Sequence, residues 1–330
     1  MRKRWNGVKL ISLVLLGVLT IGWAGFSIVS HELNSGKKKT IIFVPKTIDT
    51  TIEFWQVMRQ GVASAAKEFD AEVEVMGTRA EVDVDEQIAL LQEAIKKKPE
   101  AIILAATDYN RVVPVAKEIV AAGIKLITVD SGLNGGISTS FIGTDNTDAG
   151  RRTAEILHTH VDSHAEIAVI NFVKESATAM ERESGALEIL RRYGNYTVLG
   201  PFYSNGSVQT AYDIASSLLK TQPNLKAIIG LNEPTVFGIG KAIQDLKMKS
   251  QVFAVGIDSS MGEIRMLEDG VLLATVIQKP FNMGYSAVKT AVEVIDGKRV
   301  SPRIDTGSKV ITKENMYSNE NQKLLFPFVE

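Results

Sequence analysis

Five polar side chains follow short apolar runs that are typical of buried parallel strands. The runs are rich in β-branched residues, and they end at or just before Lys46, Asp130, Asn232, Asp258 and Gln278. Ligands of open α/β sheets lie beyond the carboxyl ends of the strands, so we expect these side chains to converge on one cleft. Carboxylates accept hydrogen bonds from hydroxyl pairs and amides both donate and accept, which is the chemistry needed to hold a polyol.

Three further residues complete the predicted site. Arg182 would donate from a rigid fork to ring or hydroxyl oxygens, and Phe54 with Trp55 would offer an aromatic face to the apolar side of a sugar ring. Phe54 lies on the apolar stripe of a predicted helix, where a core role is the alternative, whereas Trp55 is less easily explained as core. The predicted ligand-binding residues are therefore Lys46, Phe54, Trp55, Asp130, Arg182, Asn232, Asp258 and Gln278.

The charged members of this set also have purely structural interpretations. An aspartate at a strand end is often the N-cap of the next helix, which is the alternative for Asp130 and Asp258. Lys46 would in that case be a solvated lysine, and Arg182 would pair with acidic neighbours on an exposed helix face, where ion pairs contribute little. The ligand-binding interpretation depends on all of these residues occurring together at strand ends.

Strand-like and helix-like segments alternate from residue 40 onwards, which is the pattern of βαβ units and a parallel sheet. Apolar residues between Phe54 and Phe69 recur at helical spacing, and Asp83 with Glu86 predicts a capping box at the start of the next helix. The cycle repeats in two similar halves that meet near Asp145. The predicted fold is α/β, with two similar doubly wound parallel-sheet lobes joined by a hinge and preceded by one transmembrane helix.

The lobes are expected to face each other as a clamshell whose closure buries the ligand. The predicted N-terminal lobe comprises residues 40–144 plus 279–309, and the predicted C-terminal lobe comprises residues 145–278 plus 310–330.

The N-terminus predicts a membrane anchor. Residues 10–30 are uncharged and long enough to cross a bilayer as one helix, and the basic residues at 2–4 predict that the rest of the chain lies outside the cytoplasm. We assign residues 1–33 to a signal anchor in the cell membrane and 34–39 to a polar linker. A cleaved signal peptide is the alternative. Because the chain has no cysteine, a thioether-linked lipid and structural disulfides are excluded.

Composition and motifs argue against several classes of function. The formal net charge is −1 and no basic stripe follows the linker, so nucleic acid is not an expected partner. His158 and His160 are two positions apart on a predicted helix and make a poor metal pair. Asp130 and Asp258, if imagined as the two carboxylates of a glycosidase, would sit beside donors that keep both ionised. We predict neither an enzyme nor a cofactor.

Six segments resemble the family of periplasmic sugar-binding proteins typified by the ribose-binding protein. They are FWQVMRQG at 54–61, LITVDSG at 126–132, MERESGA at 180–186, GLNEPTVFG at 230–238, VGIDSS at 255–260 and LLATVIQKP at 272–280. The resemblance implies a type I periplasmic binding protein fold and the substrate-binding role of an ABC transporter. It also implies sugar contacts by Phe54 with Trp55, Asp130, Arg182, Asn232, Asp258 and Gln278.

Departures from the family pattern bear on the ligand. Ser131 stands where ribose binders are expected to carry an arginine, and small residues at 205–207 stand where an aromatic residue is expected. Ribose is therefore not the predicted ligand. The turn at 44–46 instead resembles relatives that bind deoxyhexoses or the furanosyl signal autoinducer-2, in which a lysine at this place contacts the ligand.

Two binding functions remain open. In the first, the anchored protein captures a monosaccharide-type ligand by lobe closure and delivers it to the membrane permease of an ABC importer. In the second, closure reports ligand occupancy to a membrane sensor histidine kinase. A transcriptional repressor of related core fold would carry a basic DNA-binding head where this chain has an apolar segment, and it is excluded.

Overall fold

The structure is a computed structural model that describes residues 38–193 and 195–326. The predicted anchor at 1–33 lies outside the described residues, as do most of the predicted linker and positions 327–330 of the predicted C-terminal lobe. In the described ranges, every helix is too short or too polar to cross a bilayer.

The described chain alternates strands and helices along almost its whole length. The strands are β1 (Lys39–Val44), β2 (Ala71–Val75), β3 (Ala101–Leu104), β4 (Lys125–Val129), β5 (Ser140–Gly143), β6 (Glu166–Asn171), β7 (Thr197–Tyr203), β8 (Leu225–Gly230), β9 (Phe253–Ile257), β10 (Leu272–Ile277), β11 (Arg303–Asp305) and β12 (Lys309–Thr312). The helices are α1 (Glu53–Glu68), α2 (Val84–Lys97), α3 (Val113–Ala121), α4 (Asn146–His158), α5 (Ala177–Tyr193), α6 (Val208–Thr221), α7 (Glu233–Asp245), α8 (Met261–Glu268), α9 (Pro280–Ile295) and α10 (Asn319–Leu325).

The strands form two six-stranded sheets with matching strand orders. The first sheet has the order β11-β5-β4-β3-β1-β2 and the second has the order β12-β10-β9-β8-β6-β7. We call the unit built on the first sheet the N-terminal lobe and the unit built on the second the C-terminal lobe. The predicted α/β class with two parallel-sheet lobes is confirmed. The exception to parallel pairing is β12, which runs antiparallel to β10 at the sheet edge, a common place for such a strand.

Each sheet has an apolar core on both faces, which explains why its strands read as continuous apolar runs. In β1, Ile41 and Phe43 belong to one core cluster, while Ile42 and Val44 belong to the cluster on the opposite face. This alternation follows from the two-residue period of a strand. Full burial of a side chain such as Phe43 contributes about 1.5–3 kcal/mol to folding. Polar residues that follow these apolar strands are therefore the ones that point to a functional site.

The chain passes between the two sheets three times. It leaves the N-terminal lobe after β5, returns after β10 through α9, whose Met283 and Ala287 pack in the core of the first sheet, and crosses again between β11 and β12. Three adjacent crossings suit a hinge, because they join the lobes on one side only. The residue limits of the lobes stay a prediction.

Two helix starts differ from expectation in how they are capped. Asp83 precedes α2, but its side chain makes no capping bond and instead accepts the Ala80 N–H at 3.2 Å, so the capping box predicted there is wrong. A capping box does form at Ser260 and Glu263, and it starts α8 earlier than the apolar pattern indicates.

Candidate functional site

The eight predicted ligand-binding residues line one cavity between the lobes. The free space between the lining residues is about 20 Å³ in this closed arrangement, which is room for about one water molecule, so a sugar can enter only when the lobes move apart. They are Lys46, Ile52, Phe54, Trp55, Glu81, Asp130, Phe172, Thr178, Arg182, Asn232, Glu233, Pro234, Asp258 and Gln278. Five of the predicted residues reach the cavity because they follow β1, β4, β8, β9 and β10, whose carboxyl ends point to this side of the molecule. Their role as ligand contacts stays a prediction. The structure does place all eight residues around one cavity, as the sequence predicts.

Lys46 is a buried cation that bridges the lobes. Its Nζ lies 3.0 Å from Oδ2 of Asp130 in the same lobe, and the side chain is 2% exposed. The same Nζ donates to Ser176 Oγ at 3.1 Å and to Thr178 Oγ1 at 2.8 Å, both in the C-terminal lobe. The alternative of a solvated lysine is wrong. A buried ammonium with three acceptors has all its donors matched in this closed arrangement.

Asp130 and Asp258 occupy equivalent positions in the two lobes. Each follows a strand with a left-handed backbone, at φ 60° for Asp130 and 89° for Asp258, a conformation that is uncommon outside glycine. The Asp130 N–H donates to Ile142 O at 2.9 Å, and the Asp258 N–H donates to Val276 O at 3.0 Å. The N-cap alternative is wrong for both, because Ser260 caps α8 and the element after Asp130 is the strand β5. Such backbone strain is typical of functional positions.

Arg182 is positioned by unusually close packing of α4 on α5. A Cβ on Gly150 would lie 2.1 Å from Arg182 O, so only a glycine permits this approach. The Arg182 Nε donates to Asn146 Oδ1 at 2.9 Å and Nη1 donates to Leu231 O at 2.8 Å. Its side chain is 3% exposed, so the exposed-face alternative is wrong. The guanidinium is thereby fixed over the Phe172 ring, 5.6 Å from the ring centroid.

Asp258 is the hub of the polar network in the C-terminal lobe. Gln278 Nε2 donates to its Oδ1 at 2.5 Å, the Glu233 N–H donates to Oδ2 at 3.1 Å, and Arg182 Nη1 lies 3.8 Å from Oδ2. Burial raises the pKa of Asp258, whereas the charge of Arg182 and these hydrogen bonds lower it. The Oε1 atom of Gln278 is buried without a hydrogen-bond partner among the described residues, which leaves an acceptor for a ligand hydroxyl.

Phe54 and Trp55 differ from expectation in burial, because Trp55 and not Phe54 is the core residue of the pair. Trp55 is 1% exposed and packs in the core of the N-terminal lobe, while Phe54 is half-buried and more open to the cavity. Their rings meet edge to face, with centroids 5.1 Å apart. Both residues line the cavity, and Phe54 is the more exposed of the two.

Asn232 has a structural role in addition to its place in the cavity. Its side-chain oxygen accepts the Thr235 N–H at 3.3 Å and caps α7. An N-cap role was the structural alternative considered for Asp130 and Asp258, but the strand-end residue that caps a helix is Asn232. Its amide nitrogen takes no part in this cap.

Three cavity residues carry no clear signal in the sequence. Phe172 supplies an aromatic ring between Lys46 and Arg182, 5.7 Å from Nζ of the lysine. Glu233 reaches from the C-terminal lobe to the N-terminus of α1, and Glu81 reaches the cavity from the loop after β2. Glu233 follows Asn232 directly and could have been suspected from that position. Phe172 and Glu81 lie in segments without a periodic pattern that points at the cleft.

The cavity is suited to binding and not to bond cleavage. Its carboxylates have cations or hydrogen-bond donors as partners, with the exception of one oxygen of Glu81, and its donors and acceptors come from both lobes. A polyol could replace these lobe-to-lobe hydrogen bonds with its own hydroxyls, and lobe closure would then exclude water from them.

Comparison with known proteins identifies the family. The profile of the periplasmic binding protein domain matches residues 41–299. The D-allose-binding periplasmic protein of Escherichia coli is 26% identical over 258 residues, which cover 76% of this chain and 83% of that protein. The crystal structure of a sugar transporter from Clostridium phytofermentans is 38% identical, has a TM-score of 0.79, and is matched over 84% of this chain and 100% of that one.

A further solved structure supports the same assignment. An ABC transporter solute-binding protein from Agrobacterium vitis, with bound D-fucose, is 30% identical with a TM-score of 0.84, over 87% of this chain and 99% of that chain. The predicted resemblance is confirmed, and so is the prediction that the chain is not an enzyme. The chain belongs to the periplasmic binding protein domain family, among the substrate-binding proteins of ABC-type sugar transporters.

Proposed function

We propose that this protein captures a neutral monosaccharide between its lobes and delivers it to the membrane permease of an ABC importer. The observation that carries the proposal is the convergence of Lys46 and Asp130 from one lobe with Arg182, Asp258 and Gln278 from the other around a single buried cavity. Each of these groups can donate to or accept from a hydroxyl, and their fixed positions reduce the entropy lost on binding. Phe54 covers the apolar face of the ring.

The sugar is proposed to be a hexose or deoxyhexose and not ribose. The turn at 44–46 resembles relatives that bind deoxyhexoses or autoinducer-2, in which a lysine at this place contacts the ligand, and Ser131 stands where ribose binders are expected to carry an arginine. The relatives from Escherichia coli and Agrobacterium vitis are described with D-allose and D-fucose, respectively, both of which are six-carbon sugars.

A ligand panel tests this proposal directly. The full chain, purified in detergent, would be titrated by calorimetry and thermal shift with D-ribose, D-arabinose, D-xylose, D-allose, D-galactose, D-fucose, myo-inositol and autoinducer-2. A ligand that binds only the native state raises the melting temperature by mass action. We expect the largest shift with a hexose or deoxyhexose. No shift with any of the panel would overturn carbohydrate binding.

The anchor is part of the proposal. The uncharged run at 10–30 follows basic residues at 2–4, and a chain without cysteine cannot be held by a thioether-linked lipid. We propose a permanent tether that keeps the binding lobes at the outer face of the cell membrane. Retention of the intact chain in carbonate-washed membranes, with an N-terminal peptide from residues 1–33 found by mass spectrometry, would support the tether. A mature chain beginning after residue 23 would overturn it.

Permanent tethering also suits a sensing role, in which lobe closure reports the sugar to a membrane sensor histidine kinase. A binding protein that feeds an importer and one that reports to a kinase differ in the protein held at their outer surface. Purification from cross-linked membranes in the presence of the sugar separates the two. An ABC permease supports uptake, and a histidine kinase supports sensing.

A further inference from the structure

Glu81 is held in place by a short loop that is fixed against the turn carrying Lys46. The single hydroxyl hydrogen of Thr78 is shared between two carbonyl oxygens, Lys46 O at 2.5 Å and Ala80 O at 2.8 Å from Oγ1. From the other side, Thr47 Oγ1 donates to Thr78 O at 3.1 Å. These bonds make the loop between β2 and α2 a rigid support, so the position of Glu81 is set by structure and not by solvent.

One oxygen of the Glu81 carboxylate has a partner and the other does not. Trp55 Nε1–H donates to Oε1 at 2.8 Å, whereas Oε2 is buried with no hydrogen-bond partner among the residues that the structure describes. A buried acceptor without a partner costs free energy, and native proteins keep such groups mainly where a ligand or function requires them. The side chain lines the same cavity as Asp130 and Asp258.

The other acids of the cavity are matched. Lys46 lies 3.0 Å from Asp130, Arg182 lies 3.8 Å from Asp258, and Glu233 accepts two backbone N–H groups. Burial raises the pKa of Glu81, while the charge of Lys46 and the hydrogen bond from Trp55 lower it. Among the acids that line the described cavity, Glu81 is therefore the one with a fully buried carboxylate oxygen that has no hydrogen-bond partner.

Part of the surface near this oxygen is backbone of the C-terminal lobe. Gly206 of the C-terminal lobe lies opposite, and a Cβ built there would be 3.7 Å from Glu81 Oε2. Its φ of +74° disfavours any other residue at this position.

We propose that Glu81 Oε2 accepts a hydrogen bond from one hydroxyl of the bound neutral sugar, which makes Glu81 a residue that determines sugar specificity. The inference rests on the proposed function, because it assigns a further contact in the same cavity. A sugar that lacks this hydroxyl leaves the buried oxygen unpaired and binds more weakly for that reason.

The competing role for Glu81 is only to orient Trp55. That role needs a single acceptor oxygen, which a glutamine also provides. Glu81→Gln therefore separates the two roles, since it keeps the bond to Trp55 Nε1–H and the side-chain shape but replaces the buried, unpaired carboxylate oxygen with an amide nitrogen.

The test is a thermodynamic cycle that combines a substitution of Glu81 with the removal of one hydroxyl from the sugar. Calorimetry would measure full-length wild type, Glu81→Gln and the control Glu86→Gln, which removes an exposed carboxylate from α2. The probes are the sugar of the panel above that wild type binds most tightly and each of its monodeoxy derivatives. Melting temperatures without sugar report whether each variant is folded, and Glu81→Ala serves as a second variant.

We expect Glu81→Gln to bind the parent sugar about tenfold more weakly than wild type does. We also expect one monodeoxy derivative to bind wild type more weakly than the parent sugar does, while Glu81→Gln binds that derivative and the parent sugar equally well. Equal affinity of wild type and Glu81→Gln for the parent sugar, or no derivative with such coupling, would overturn the inference while leaving sugar binding intact. Loss of affinity in Glu81→Ala alone would assign Glu81 to the support of Trp55 and would also overturn it. If wild type binds none of the sugars, the proposed function fails and the inference fails with it.

Discussion

Glu53 and Glu233 lie on opposite lobes, and each carboxylate accepts hydrogen bonds from the N-terminus of a helix in the other lobe. Glu233 Oε1 and Oε2 accept the N–H groups of Glu53 and Phe54 at 2.9 and 3.0 Å, at the start of α1. Glu53 in turn accepts the Met261 N–H at 3.1 Å, at the start of α8. Carboxylates are stabilised at helix N-termini by unpaired N–H groups and by the helix dipole. The pair therefore holds the lobes in the closed arrangement.

Glu233→Ala is expected to weaken closure more than it weakens either lobe. The helix α1 has no side-chain cap of its own, so removal of Glu233 leaves two N–H groups at its start without their partner in the closed form. We expect sugar affinity to fall by about 1–3 kcal/mol, measured by calorimetry. Small-angle scattering without sugar should show a larger open fraction. Glu155→Ala, which removes an exposed carboxylate from α4, serves as the control.

The same residue predicts a pH dependence of binding. Burial, together with the nearby charges of Asp258 and Glu53, raises the pKa of Glu233 from 4.5 to about 8 in the closed form, although the two N–H bonds oppose the shift. A raised pKa means that the closed form binds the proton more tightly than an open form with a solvated carboxylate. Closure therefore takes up protons, so the contribution of Glu233 to sugar affinity is complete below about pH 4.5 and is lost as the pH rises from there through about 8.

Calorimetry in two buffers of different ionisation enthalpy measures this proton uptake. Glu233→Gln should abolish most of it. The pKa values of Asp258 and Glu263 are also raised by burial, so the small dependence that remains should have the same sign. Proton release on sugar binding would contradict the prediction.

Asp258→Ala is expected to reduce sugar affinity by roughly 2–4 kcal/mol, because it removes a buried, charge-assisted acceptor. The lobes should stay folded, since Arg182 keeps its bonds to Asn146 and Leu231 and the repulsion of Asp258 on Glu263 is relieved. Calorimetry and a melting curve of each variant test both statements. Asp213→Ala, at an exposed position of α6, is the control, and an unchanged affinity in Asp258→Ala would refute the site.

Gly185→Ala tests the packing that positions Arg182. A Cβ on Gly185 would lie 2.0 Å from Thr147 O, so α4 and α5 must separate to accept it. Overpacking of this kind typically costs about 1–3 kcal/mol, and we expect a lower melting temperature together with weaker sugar binding. Gly132→Ala is the matched control, because its nearest neighbour would be at an ordinary 3.8 Å. Equal melting temperatures for the two variants would contradict the packing argument.

Most of the cavity residues that the sequence predicts were found because they are polar residues directly after apolar strands. Asp130, Asp258 and Gln278 reach it because their strands are short, apolar and parallel, and the ends of such strands meet at one edge of a sheet. Trp55 and Phe54 were assigned to the wrong environments, because adjacent helix positions differ by about 100° and the start of a helix is difficult to place within one residue.

The contacts that depend on lobe closure were beyond reach of the sequence. The bonds of Glu233 to the start of α1 join residues 180 positions apart, and no local pattern encodes them. Glu81 lies in an irregular loop, where neither helical nor strand periodicity applies. Its importance becomes visible only when the partners of each buried oxygen are accounted for.

Thr178→Val tests whether the bridge from Lys46 stabilises the liganded, closed form. Thr178 Oγ1 accepts from Lys46 Nζ at 2.8 Å across the lobes, and the side chain is 1% exposed, so valine removes the hydroxyl at nearly constant volume. If the bridge survives when sugar is bound, affinity should fall by about 0.5–1.5 kcal/mol, the usual net contribution of such a bond. If a sugar hydroxyl instead replaces Thr178 as the partner of Lys46, the variant should bind at least as tightly as wild type, because nothing is lost on closure.

Thr221→Val, at the exposed end of α6, controls for the substitution itself. Lys46 is proposed to contact the sugar, but its three donors are already matched by Asp130, Ser176 and Thr178. Of its two acceptors in the C-terminal lobe, Thr178 lines the cavity, so we expect a sugar hydroxyl to replace it and the variant to bind at least as tightly as wild type. A loss of affinity would show that the bridge survives in the liganded form.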